Sequence, residues 1–169
     1  IYNDGETKTL HVLGRTKAIP HRHYYRAWEN RRRWTAWEAV PVDIEGENVA
    51  ITRYNRRLYI FWFMTQEKAD NSENKESRVP GVSDTSSDTF TANQPKKYLE
   101  IKLAWSEFRH NKWSTKQLSG SAIHTKSRIN AWSPGAFRPK PIVLSSGNLD
   151  IAVEVTQRKT LMNAPGPTS

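Results

Sequence analysis

The chain has no cysteine among its 169 residues. That absence excludes a disulfide scaffold, a thiolate metal site and a cysteine nucleophile, but it does not fix a compartment. Long apolar runs are missing too. The longest, Leu58–Met64, is far short of the ~18 residues of a membrane-spanning helix and too short for the core of a signal peptide. No direct membrane insertion by this segment is therefore expected. Methionine does not open the chain, which begins at Ile1 and reads as a fragment of something longer. Acidic residues are in deficit, with 17 Asp and Glu against 26 Lys and Arg, a net charge of +9.

What is present is aromatic and basic. Aromatics make up 11% of the chain, with seven Trp, which argues against disorder even though only 36% of residues are hydrophobic. The positive charge is clustered: Arg31, Arg32 and Arg33 are consecutive, and Arg53, Arg56 and Arg57 share one expected hairpin. Such a cluster suits an anionic partner, whether nucleic acid, acidic glycan or the acidic surface of a larger assembly. The plainer reading is a solvated basic surface.

The pattern reads as all-β. Short segments rich in Tyr, Trp, Val, Ile and Thr recur between turn signals. Strands are expected over 9–13, 21–28, 34–44 (bent at Pro41), 49–54, 58–66, 98–107, 112–119, 142–145 and 149–157, with a further one over 121–129. Proline-rich 132–141 reads as a loop. Residues 67–96 are rich in Ser, Thr, Asp and Asn, with few large apolar residues; they read as a long mobile loop. Residues 158–169 read as a flexible tail.

The chain also repeats itself. Ala27-Trp28, a polar turn and Trp34-Thr35 match Ala104-Trp105, a polar turn and Trp113-Ser114. Downstream, the hairpin over 49–66 matches the hairpin over 142–157, and Thr65-Gln66 recurs as Thr156-Gln157. One unit spans 20–66 and the second 97–157, within a single all-β domain over 1–169. Antiparallel four-stranded meander units in tandem are the signature of propeller blades. A β-sandwich of eight strands is the alternative.

Several motifs, taken in order, carry a resemblance. These are His11-Val12-Leu13-Gly14-Arg15-Thr16, Tyr24-Tyr25-Arg26-Ala27-Trp28, Trp34-Thr35-Ala36-Trp37-Glu38, Asn55-Arg56-Arg57-Leu58-Tyr59-Ile60-Phe61-Trp62 and Ile101-Lys102-Leu103-Ala104-Trp105-Ser106-Glu107. Together they resemble the neuraminidase-like domain of the A subunits of insecticidal Tc toxin complexes. The resemblance implies a domain of a secreted, pentameric toxin subunit that helps close a shell around a translocation channel. Its partners would be other domains and subunits of that homo-oligomer. On this reading the domain is structural, not an enzyme, and needs no cofactor.

The residues can be weighed for chemistry directly. A sialidase needs an arginine cluster, a Tyr nucleophile with a Glu, and an Asp acid/base. The family's Ser-x-Asp-x-Gly-x-Thr-Trp hairpin has only an echo in Ser106-Glu107 through Trp113-Ser114, so no catalytic residues are assigned. His21 and His23 would share a strand face, but no third ligand is spaced to join them. They are expected at an interface or on the surface, on the strand leading into the arginines. Arg31, Arg32, Arg33, Arg56 and Arg57 are the candidates for an interface or anion contact. Trp28, Trp34 and Trp37 crowd one hairpin and are candidates for stacking on a host glycan, unless each plugs an interface between sheets. The Trp residues sit at repeat positions and read as core, so no nucleic-acid partner is expected.

Overall fold

A computed structural model of the chain describes residues 1–70, 97–125 and 134–156. Of the expected mobile loop over 67–96, residues 67–69 are instead strand, paired with 97–99; residues 71–96 lie outside the described residues, as does the expected tail. Every regular element among the described residues is a β-strand except one 3-10 turn at Pro134–Ala136, and all pairings are antiparallel. The all-β, meander-built class read from the sequence is what the chain adopts.

The first sheet holds β1 (Tyr2–Asp4), β2 (Thr9–Arg15) and β3 (His23–Glu29), with β4 (Arg33–Trp34) and β5 (Glu38–Val40) both on the far side of β3. The second runs β6 (Val49–Tyr54), β7 (Arg57–Ala69) and β8 (Lys97–Arg109). Then β9 (Lys112–Trp113), β10 (Gln117–Leu118) and β11 (Ile123–His124) lie one after another along the outer side of β8. The third is a hairpin of β12 (Phe137–Val143) and β13 (Leu149–Val155).

The sheet boundaries do not coincide with the sequence units. Strand β3 pairs with β2 and carries β4 and β5 on its other side, whereas β6 pairs with β7, and β7 with β8. The aromatic and aliphatic content of β7 explains this. Tyr59, Phe61 and Phe63 alternate with Leu58, Ile60 and Trp62, so β7 must be covered on both faces and sits mid-sheet.

Register then fits large against small. Trp62 lies opposite Ala104 and Ile60 opposite Ser106, and all four are fully buried. That face meets Tyr25, Ala27 and Val40 of the first sheet, with Ile51, Leu58 and Trp113 completing the cluster. The opposite face gathers Phe63, Leu99, Ile101 and Phe137 against the third sheet, with Ile151 and Val153 packed on it. The three sheets are thus stacked in a row with two cores between them.

Two further expectations are corrected. Residues 34–44 do not form one strand: the pairing breaks between Trp34 and Glu38 and ends before Pro41. Residues 137–141, expected as loop because of Pro139 and Pro141, are strand and run on into the expected strand at 142–143 to form β12. Among the described residues its only partner strand is β13, so it is an edge, where proline's missing N–H is tolerated.

The breaks share one device. From Trp34 to Glu38 the edge advances four positions while β3 advances three, and from Trp113 to Gln117 it again advances four against three on β8. Each is a bulge that leaves an N–H of the central strand without its carbonyl. A hydroxyl takes the place of that carbonyl. Thr35 Oγ1 accepts from Ala27 N at 2.9 Å and Ser114 Oγ from Glu107 N at 3.0 Å. Ser119 Oγ accepts from Leu103 N at 3.2 Å and Thr125 Oγ1 from Leu99 N at 3.0 Å. In each pair the hydroxyl residue's own N–H returns a bond to the same residue's carbonyl.

Candidate functional site

Three hairpin turns carry tandem residues in the left-handed region: Asn30 and Arg31, Asn55 and Arg56, His110 and Asn111. Paired positive φ is the mark of the turn that matches strand twist, and Asn and His enter this region more readily than most residues. These turns lie at one end of the stack. Leu58 faces Phe108, bringing the second and third together. Asp4, at the start of the β1–β2 turn, accepts from Arg53 Nη1 at 3.1 Å, and that turn shares its sheet end with the first, through Asp4–Thr9 and Leu10–Trp28. Tyr54 donates its hydroxyl to the Gly147 carbonyl at 3.0 Å, adding the β12–β13 turn. Five turns therefore form one rim.

The rim is basic. Arg57 and Arg109 both pair with Glu107, at 3.1 and 3.4 Å, and Arg33 pairs with Glu29 at 3.1 Å. Arg53 is taken by Asp4 and Glu6. Lys8, Arg31, Arg32, Arg56 and Lys112 are exposed, and among the described residues none has a carboxylate partner. The structure thus brings Arg31, Arg32, Arg33, Arg56 and Arg57 to one end.

It does not bring the two histidines there. His23 opens β3 and His21 precedes it, at the strand end about 20 Å from the Arg31 turn at the usual rise per residue. Nor do they share a face: His21 is exposed, with Nδ1 2.8 Å from the Thr16 carbonyl, while His23 is buried and its Nε2 has no partner. The rim's own histidine is His110.

The outer face of the first sheet carries the other candidates. Trp28 and Trp34 lie opposite each other with ring centroids 5.0 Å apart. The Arg26 guanidinium lies 3.7 Å from the centre of the Trp34 ring and 5.0 Å from that of Trp37. Trp34 and Trp37 remain 42% and 49% exposed, so they do not plug a core. Trp37 rests over Gly14: a Cβ there would meet its ring at 3.4 Å. Beside it opens a cavity of about 330 Å³ lined by Gly14, Arg15, Thr16, Tyr24 and Trp37. Sequence reading missed Arg26, Tyr24 and Gly14. Their signal was there, since Tyr24, Arg26 and Trp28 alternate along β3 and so share a face.

Between the sheets lies a buried polar line. His11 stacks between Tyr2 and Tyr25, with centroids 6.0 Å from each, and its Nδ1 is 2.8 Å from the Tyr25 hydroxyl. Burial pushes the His11 pKa down, and it pushes the Tyr25 phenol up to about 12. Burial also lowers His23, with Arg15 and His21 adding to the effect. For Asp4, burial acts upward, yet the bonds from Thr7 and Glu6 and the charge of Arg53 hold it below the usual carboxylate value.

Neither the Trp37 cavity nor a second cleft of about 520 Å³ between β6 and the third sheet holds more than one arginine, and neither joins a Tyr to a Glu. Among the described residues no three His, Asp or Glu side chains gather as metal ligands. No helix among them is long and apolar enough to cross a membrane.

The sequence model of the neuraminidase-like domain matches residues 1–148. The chain belongs to the neuraminidase-like domain family. The motif-by-motif resemblance named the same domain. Among solved structures it is similar to the Yersinia pseudotuberculosis TcaA-TcaB complex determined by cryo-EM, at 16% identity and a TM-score of 0.48. That likeness covers 93% of this chain and 8% of the other. No curated protein matches the chain.

Proposed function

We propose that this neuraminidase-like domain is a non-enzymatic structural part of a large secreted toxin subunit of the Tc type. It helps close a shell around a translocation channel, and the subunit acts as a homo-oligomer, a pentamer by resemblance. The observation that carries this reading is the rim, which gathers Arg31, Arg32 and Arg56 without carboxylate partners among the described residues. Like charges crowded at one end repel, and an acidic surface of an adjoining domain or subunit relieves that repulsion. Family membership over residues 1–148 supports the setting. The missing convergence of arginines with a Tyr–Glu pair in either cleft favours a structural role over sialidase chemistry.

The test is charge removal in the full-length subunit. With Arg31, Arg32 and Arg56 changed to Ser, the closed assembly is expected to open at a pH closer to neutral and to lose much of its salt dependence. Opening at an unchanged pH with unchanged salt dependence would make these arginines ordinary surface charge.

A further inference from the structure

The cavity beside Trp37 lies on the outer sheet face, away from the basic rim, and the shell reading does not use it. We infer that it binds a neutral pyranose ring, such as the terminal sugar of a glycan. This goes beyond shell closure and does not depend on it.

Four observations converge. At about 330 Å³ the cavity falls within the roughly 300–1,000 Å³ range of small-ligand sites. Its aromatic wall is ordered before any ligand arrives: Trp37 rests over Gly14 and is shared with Trp34 by the Arg26 guanidinium. A pre-set ring loses little entropy on binding. Trp34 and Trp37 stay about half exposed, which is expensive for indoles unless something covers them. The fringe is polar. Tyr24 and Arg15 line the cavity, and Arg15 has only a 3.5 Å contact to the Glu47 carbonyl. The Thr16 hydroxyl accepts from Arg22 N at 2.9 Å and keeps its proton to donate.

An apolar wall fringed by donors matches a sugar ring, which has a C–H face and acceptor hydroxyls at its edge. A neutral hexopyranose, such as the galactose of lactose, presents such a C–H face. An aliphatic side chain would leave the donors unpaired. The Arg26 guanidinium lies over the two indoles and is not among the groups lining the cavity.

The probe is lactose, titrated into the 169-residue chain and followed by calorimetry and saturation-transfer NMR. Millimolar binding is expected, with saturation strongest at protons on the apolar face of galactose. Trp37→Ala should weaken it at least about tenfold, Trp37→Tyr should keep most of it, and Gly14→Val should abolish it by displacing the ring. Trp37 is half exposed, so circular dichroism and melting of the Ala and Tyr variants should match the parent. The inference is overturned by no saturation transfer at tens of millimolar lactose, or by equal binding in Trp37→Ala. Displacement of lactose by adenosine monophosphate would mark the site as a nucleobase shelf instead. Tighter binding of 3′-sialyllactose than of lactose would overturn the assignment to a neutral ring.

Discussion

Single residues set the pH behaviour of this domain. His11 and His23 are buried in the first sheet with one ring nitrogen each unpartnered. Their folded pKa values lie below the ordinary 6.5, chiefly through burial. A base with a depressed folded pKa binds more protons when unfolded, so it costs no stability above about pH 6.5 and costs progressively more as pH falls below that. Asp4, near His11, partly favours its charge, whereas Arg53 opposes it; Arg15 and His21 oppose charge on His23. The melting temperature is therefore expected to fall between pH 7 and pH 5. The double variant His11→Gln, His23→Gln should flatten that slope, as read by thermal melts across the range. A slope unchanged in the double variant would place the sensitivity elsewhere. Asp4 acts lower, its contribution being lost only as pH drops below the ordinary carboxylate value of 3.8. His21 and His23 were legible as a pair in the sequence, but their opposite fates were not. Which of them faces a core depends on where β3 starts, and that is fixed by pairing with β2 and β5.

At the scale of elements, periodicity carried the sequence reading well where strands are interior. Alternation in 98–107 put Ile101, Leu103 and Trp105 on one face. The structure places Phe63 and Phe61 opposite Leu103 and Trp105 on that same face. Periodicity failed at edges. Proline at 139 and 141 reads as a breaker locally, but an edge strand has N–H groups to spare. The short strands β9 to β11 hide behind bulges whose ladder is completed by side chains. Ser and Thr at 35, 114, 119 and 125 look like loop residues in sequence, yet each closes a backbone bond. Removing such a hydroxyl leaves a central-strand N–H half-buried and unpaired. Ser114→Ala is expected to destabilise by about 1–3 kcal/mol, because the Ser106 hydroxyl, fully buried, also loses a neighbour there. Ser114→Thr should cost far less. Denaturant melts of the two variants check this, and an Ala variant as stable as the parent would mean water replaces the hydroxyl freely.

For the molecule as a whole, three stacked sheets leave one end made of turns and one face made of indoles. The turn end was half visible in the sequence, as arginines beside turn signals. That they converge was not visible, because convergence rests on the contacts Arg53–Asp4 and Tyr54–Gly147, 49 and 93 positions apart in sequence. The aromatic face was visible as crowded tryptophans, but its organisation around Arg26 needed the sheet. In the proposed roles, the basic rim holds a neighbour and the exposed face meets a ligand. In the proposed shell the rim seats on an acidic neighbouring surface. A cryo-EM reconstruction of the full-length subunit in its closed assembly tests it most directly. Arg31, Arg32 and Arg56 are expected to be buried at an interface within ion-pair reach of Asp or Glu side chains. A rim facing open solvent in the closed state would contradict it.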